Sequence, residues 1–152
     1  MDIHMDPFLQ FSNNHIFWIS FVAWLTAQTI KVIIGVFKEK KFNFRWFLGT
    51  GGMPSAHTAC VTSLSTTVGL AYGFDSALFA ITVIFTLIIM FDAHTVRFTT
   101  GRQAKILNQM LDDIYWKKKL DEEKIKEFLG HTPVEVFAGA ALGIVIALLL
   151  YK

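Results

Sequence analysis

The run Gly51-Gly52-Met53-Pro54-Ser55-Ala56-His57 brings two glycines, a proline, a serine and a histidine to the mouth of an apolar stretch, Thr58 to Tyr72, that carries no charge. A glycine turn lets backbone approach a ligand, because no Cβ stands in the way. The start of a helix presents unpaired N–H groups and the positive end of the helix dipole, which suits an anion such as phosphate. Ser55 can donate a hydroxyl, and His57 can take or give a proton near neutral pH. A plainer reading of the same residues is that Pro54 and Ser55 start a helix, with Ser55 as its cap. Further groups of the same kind are spread along the chain. Lys31, Lys38 and Arg97 supply positive charge, and a guanidinium can hold two oxygens at once. Gly52 and Ser55 supply N–H and O–H donors, and His57 and His131 supply two proton-competent imidazoles. Gathered together, these groups would form a phosphate site with a nucleophile, since phosphoryl transfer needs positioning and charge stabilisation and an imidazole can attack phosphorus.

Something must carry them to one place. Of 152 residues, 53% are hydrophobic and only 17% charged, against about 25% charged in soluble domains. The apolar residues fall in blocks, which predicts an all-α, polytopic membrane helix bundle: about four transmembrane helices plus short interfacial helices. One membrane-embedded domain is expected over residues 16–152, preceded by an N-terminal segment, residues 1–15, whose His4 is given no function. No charged stretch precedes a short apolar run there, so no cleavable signal is expected. The single cysteine, Cys60, excludes an intrachain disulfide and reads as a small packing residue.

The first block runs from Ile16 to Phe37 and contains Lys31. An ammonium inside an apolar span is a functional candidate by default; alternatively it snorkels to the interface. A basic, aromatic loop follows, from Lys38 to Phe47. The second block, Ser55 to Tyr72, is rich in small residues and is expected at the centre of the bundle. Gly73 to Ser76 is a tight turn, with Ser76 capping a third block, Ala77 to Phe91. A separate helix on the membrane or on the bundle is expected within Gly101 to Leu120, from the stripe Ile106, Leu107, Met110, Leu111 and Ile114. A short helix capped by Asp121 follows. The last block begins at Thr132-Pro133 and runs to Tyr151, with Gly139 and Gly143 on a close-packing face.

Nearly all Lys and Arg residues lie in the loops Lys38 to Arg45 and Arg97 to Lys126, and none in the Gly73 turn. The positive-inside rule makes those loops cytoplasmic and puts both termini outside. Lys38, the Gly51 to His57 turn, Asp92, Arg97, His131 and Glu135 then share one membrane face. Asp92 is a natural counterion for Arg97 or Lys31, because those charges would be costly to bury unpaired. Asp92 and His94 are too few ligands for a metal site, and none is expected.

Met53-Pro54-Ser55-Ala56-His57 resembles the Pro-Ser-Gly-His motif of the type 2 phosphatidic acid phosphatase superfamily, which includes vanadium haloperoxidases. With Phe91-Asp92-Ala93, Val96-Arg97 and the run Leu129 to Phe137, the chain resembles the small, divergent bacterial and plant branch of that superfamily, over nearly its whole length from about residue 16. The resemblance implies roles. His131 would be the nucleophile, forming a phosphohistidine, and His57 the acid that protonates the leaving oxygen. Glu135 would orient His131 where the family usually has Asp, and Arg97 matches the arginine preceding the nucleophile. Lys31 and Lys38 stand at the family's Lys-x6-Arg spacing, and Ser55 and the Gly52 backbone would contact phosphate oxygens. Ala56 departs from the family's Gly, and a long insert separates Arg97 from His131. Thr132-x-x-Glu135 also fits a capping box, so Glu135 has two readings.

The expected function is therefore an integral-membrane phosphatase of the bacterial cytoplasmic membrane, acting on a phosphorylated lipid at the cytoplasmic face. It would use no cofactor, and vanadate would inhibit it by imitating pentavalent phosphorus. The alternative is a lipid-phosphate binding or transport protein that kept the pocket without turnover. The expected partners are the bilayer and the lipid substrate, with a homodimer as a way to complete the bundle and no nucleic acid.

Overall fold

The computed structural model describes residues 6–40, 52–115 and 132–152, and among them all regular structure is helical. Helix α1 spans Pro7–Ser12, α2 His15–Glu39, α3 Ala56–Tyr72, α4 Ala77–Tyr115 and α5 Pro133–Leu150. The all-α architecture is as expected. Among the described residues, two stretches are long and apolar enough to cross a membrane, His15–Phe37 and Pro133–Leu150, while Ala77–Ala93 is a shorter apolar helix. A count of four crossings is therefore not established by length and hydropathy. The 17 residues of α3 reach about 25 Å, somewhat less than the roughly 30 Å of a hydrocarbon core.

Each described helix start is set by a local signal. Asn14 caps α2 by accepting from the Phe17 amide at 3.0 Å, and Ser76 accepts from the Phe79 amide at 3.1 Å. Thr132 and Glu135 form both halves of a capping box, at 3.3 and 3.1 Å, with Pro133 in the first turn. These bonds satisfy amides that a helix start leaves without partners.

Helix α3 is the centre of the bundle and packs on α2, α4 and α5. Its small residues make this possible: Ala56, Ala59, Ser63, Thr67 and Gly69 are all buried. On α5, Gly139 and Gly143 face it. A Cβ at Gly139 would strike the carbonyl oxygen of Ser55, and one at Gly143 the Thr62 hydroxyl and the Ala59 carbonyl oxygen. Without hydrophobic drive between helices in lipid, such close backbone approach supplies the van der Waals attraction. Ala27 of α2 joins Ala56 and Ala59 in one apolar cluster, and Ile19 and Ala23 join Ile146 and Ala147 in another.

Two expectations are corrected. The break after Phe91 and the separate helix within Gly101 to Leu120 are absent: α4 continues unbroken from Ala77 to Tyr115. No proline lies in that interval, and a single internal glycine, Gly101, costs only about 1 kcal/mol relative to alanine. Ile106, Leu107 and Met110 are exposed on this continuation. In the N-terminal segment, Asp6 caps α1 by accepting from the Phe8 amide. The basic loop from Lys41 onward, the Asp121 helix and His131 lie outside the described residues.

Candidate functional site

Three registers bring the sequence's candidate residues to one end of the bundle. Gly139 meets Ser55, and Gly143 meets Ala59 and Thr62, so α3 and α5 run parallel with their starts side by side. Lys31 meets Gly52 while Ala27 meets Ala56 and Ala59, so α2 runs antiparallel to α3. Thr86 of α4 bonds to the Val61 carbonyl at 2.9 Å and to the Ser65 hydroxyl at 3.0 Å. Carrying that antiparallel register six residues on puts Asp92 level with Ser55 to Ala59.

At this end, Ser55 is fully buried. Its Oγ accepts from the Thr58 amide at 3.4 Å and from the Thr58 hydroxyl at 3.0 Å, so the cap reading of Ser55 is correct. Its own amide donates to the carbonyl oxygen of Glu135 at 3.0 Å. That bond joins the first turn of α5 to the start of α3. Ala56 behind it is buried at 1% exposure, packed toward Ala27. His57, the next residue, is exposed. The alternation follows from helical geometry, because adjacent positions lie about 100° apart and only one of them faces the neighbours.

Gly52 has φ +86°, in the region glycine adopts freely. The half-buried Lys31 lays its stem across this turn: a Cβ at Gly52 would stand 3.3 Å from Lys31 Cγ, 3.5 Å from Cδ and 4.0 Å from Cε. The ammonium is one bond further on. The intramembrane lysine of the sequence therefore sits at the glycine turn, at the level of the helix starts. Lys38 is two turns beyond Lys31 on α2, about 10 Å along the axis, and Arg97 follows Asp92 on α4; backbone positions alone are described for Lys38 and Arg97. Asp92 is exposed, beside Leu87, Ile88 and Phe91. Glu135 is half-buried with its carboxylate on the Thr132 amide, so the capping reading is correct; its second reading depends on His131.

Sequence reasoning passed over Thr58, which gives Ser55 both of its side-chain bonds. The signal was present: Ser55 and Thr58 stand three residues apart at a helix start, the spacing at which a cap meets its partner. An anion approaching this end meets the positive end of the α3 dipole and the exposed His57, with the Lys31 stem lying across the adjoining turn.

Residues 12–146 match the Divergent PAP2 family, and the chain belongs to that family, a branch related to the type 2 phosphatidic acid phosphatases. An uncharacterized membrane protein of Bacillus subtilis (strain 168), YuiD, is 42% identical over 142 residues, covering 86% of this chain and 90% of its own length. No solved structure matches the chain. Together with the two long apolar helices, these likenesses make it a membrane-associated, PAP2-related protein.

Proposed function

We propose that this chain is an integral-membrane phosphatase that hydrolyses a phosphorylated lipid without a metal. The observation that carries the reading is the Lys31 stem lying across the Gly52 turn beside the Ser55-capped start of α3. A cation, a positive-φ glycine and a helix N-terminus are three independent features that favour one anion.

In this reading Lys31, Lys38 and Arg97 neutralise phosphate oxygens, assisted by the Gly52 amide and the Ser55 hydroxyl, with Asp92 balancing the cations. The His131 imidazole attacks phosphorus as the bond to the lipid oxygen breaks, and His57 gives that oxygen its proton. Water, giving a proton to His57, then attacks the phosphohistidine and releases inorganic phosphate. Glu135 holds the His131 ring while its carboxylate also closes the capping box. The distribution of Lys and Arg supports a site at the cytoplasmic face. Vanadate inhibits by occupying the phosphate position.

The test is inorganic phosphate release from a panel of lipid mono- and pyrophosphates by the purified chain, beside His57→Ala and His131→Ala. Release that both substitutions abolish supports hydrolysis. Tight binding of the same lipids with no release by the unaltered chain would instead establish a binding or transport protein.

A further inference from the structure

Helix α4 packs along α3 but has little contact with α5. A lateral cleft of about 200 Å³ stays open between them. Its floor looks polar in sequence, because Thr62, Ser65, Thr66 and Thr86 all line it. Each hydroxyl, however, is already used. Thr62 donates to the Thr58 carbonyl at 2.6 Å and Thr66 to the Thr62 carbonyl at 2.8 Å. Thr86 shares its proton between the Val61 and Thr82 carbonyls, so Ser65 must be the donor in the 3.0 Å bond to the Thr86 oxygen. What remains facing the cleft is methyl groups, aliphatic side chains and rings. An occupant needs no hydrogen-bonding groups, and a polar one would lose its own bonds to water.

The cleft has a closed end. Phe74, in the turn after α3, folds its ring over Gly69, where a Cβ would collide with it. Phe79 meets that ring edge-on, with centroids 5.0 Å apart. At 1.5 Å per residue, Thr62 lies about 10 Å from the Ser55 start of α3 and Gly69 about 21 Å. The cleft thus begins short of the roughly 15 Å that marks half a hydrocarbon core, and ends beyond it. It is far too small for a helix, whose diameter is about 10–12 Å with side chains, so a helix of a second copy does not fit.

The geometry points to this cleft as the seat of one long aliphatic chain of the phosphorylated lipid, with the Phe74–Phe79 pair as the stop that sets the accepted length. This rests on the reading that the phosphate is held at the start of α3. The chain then runs down α3 toward its closed end. Straight acyl and isoprenoid chains share this chemistry, and the experiment separates them.

The experiment uses the purified full chain and two series of lipid phosphates of increasing length, one straight and one isoprenoid. Phosphate release is measured for the unaltered chain, Phe74→Ala, Val83→Trp and a lipid-face control, Ile81→Trp. In parallel, the lipid phosphates carry a photoreactive group at the chain end, and labelled peptides are mapped. The series that the unaltered chain turns over faster identifies the chain type. Phe74→Ala is expected to shift the optimum to longer chains. Val83→Trp is expected to lower long-chain turnover roughly tenfold or more, the scale on which a filled pocket discriminates, while sparing short chains; Ile81→Trp has no effect. Labelling concentrates on Phe74 and Phe79. Release with an unshifted length profile in both Phe74→Ala and Val83→Trp, or labelling spread over the Ile81 face, overturns the cleft assignment and leaves hydrolysis standing. Labelling at Phe74 and Phe79 without any release upholds the cleft and overturns hydrolysis.

Discussion

The amide of Ser55 donates to the carbonyl oxygen of Glu135 at 3.0 Å. A main-chain bond thus joins the starts of two parallel helices, α3 and α5. It sits where Gly139, one turn after Glu135 on α5, leaves room for the Ser55 carbonyl. Because parallel helices align their dipoles, two positive ends lie side by side at the end of the bundle that also holds Lys31 and Gly52.

This contact predicts a position-specific sensitivity on α5. Gly139→Leu must push the helices apart, and overpacking of this kind costs about 1–3 kcal/mol. The neighbouring Ala141 is exposed, so Ala141→Leu should cost nothing measurable. Thermal unfolding of the detergent-solubilised protein checks this; equal melting temperatures for both variants would exclude a tight α3–α5 seam.

Lys31 separates stem from charge. Lys31→Met keeps an apolar stem over the Gly52 turn and removes the ammonium. Folding stability should hold, since the apolar stem keeps its place over the turn. Vanadate inhibition should weaken roughly tenfold or more, in line with the approximately 1.5–3 kcal/mol of a hydrogen bond to a charged group. Gly52→Ala should weaken inhibition as well, because alanine is strained at φ +86°. An inhibition constant unchanged in Lys31→Met would remove Lys31 from the site.

Much of this was legible in the sequence, for local reasons. Ser55, Ser76 and Thr132 are capping types placed just before apolar runs, and the Gly139/Gly143 spacing announces a close seam. Such signals act within a turn or two of chain. The continuity of α4 was misread because polar residues after Phe91 look like an exit from the membrane, yet polarity alone does not stop a helix. The Lys31–Gly52 contact joins residues 21 positions apart, and spacing in sequence carries no information about it. The cleft was equally invisible, since its hydroxyls look polar until their partners are known. The nucleophilic role expected of His131 comes from the family resemblance alone, and His131 lies outside the described residues.

Glu135 can be tested by separating its two duties. Thr132→Ala removes one half of the capping box and should cost about 1 kcal/mol of stability. Glu135→Gln keeps a side chain that closes the box but discards its charge. Its melting temperature should match that of the unaltered protein, while turnover falls at least roughly tenfold if the carboxylate steadies the His131 imidazolium. Full activity in Glu135→Gln would make Glu135 a cap alone.

The proposed chemistry fixes the shape of the pH profile. Attack needs a neutral imidazole at His131, so kcat/KM falls as acid protonates it. Departure of the lipid oxygen needs a proton on His57, so kcat/KM falls again as base removes it. The result is a bell, and His57→Ala should lose the alkaline limb at a much reduced rate. A profile flat across the range where histidine titrates, around pH 6.5, would contradict two working imidazoles.

The most direct measurement is inorganic phosphate released from a long-chain lipid phosphate by the purified protein in the presence of a metal chelator, with His131→Ala measured alongside. Steady release by the unaltered chain, abolished in His131→Ala while its melting temperature is retained, is the predicted result. Release that persists in His131→Ala, or that the chelator abolishes, would contradict a metal-independent transfer through that imidazole.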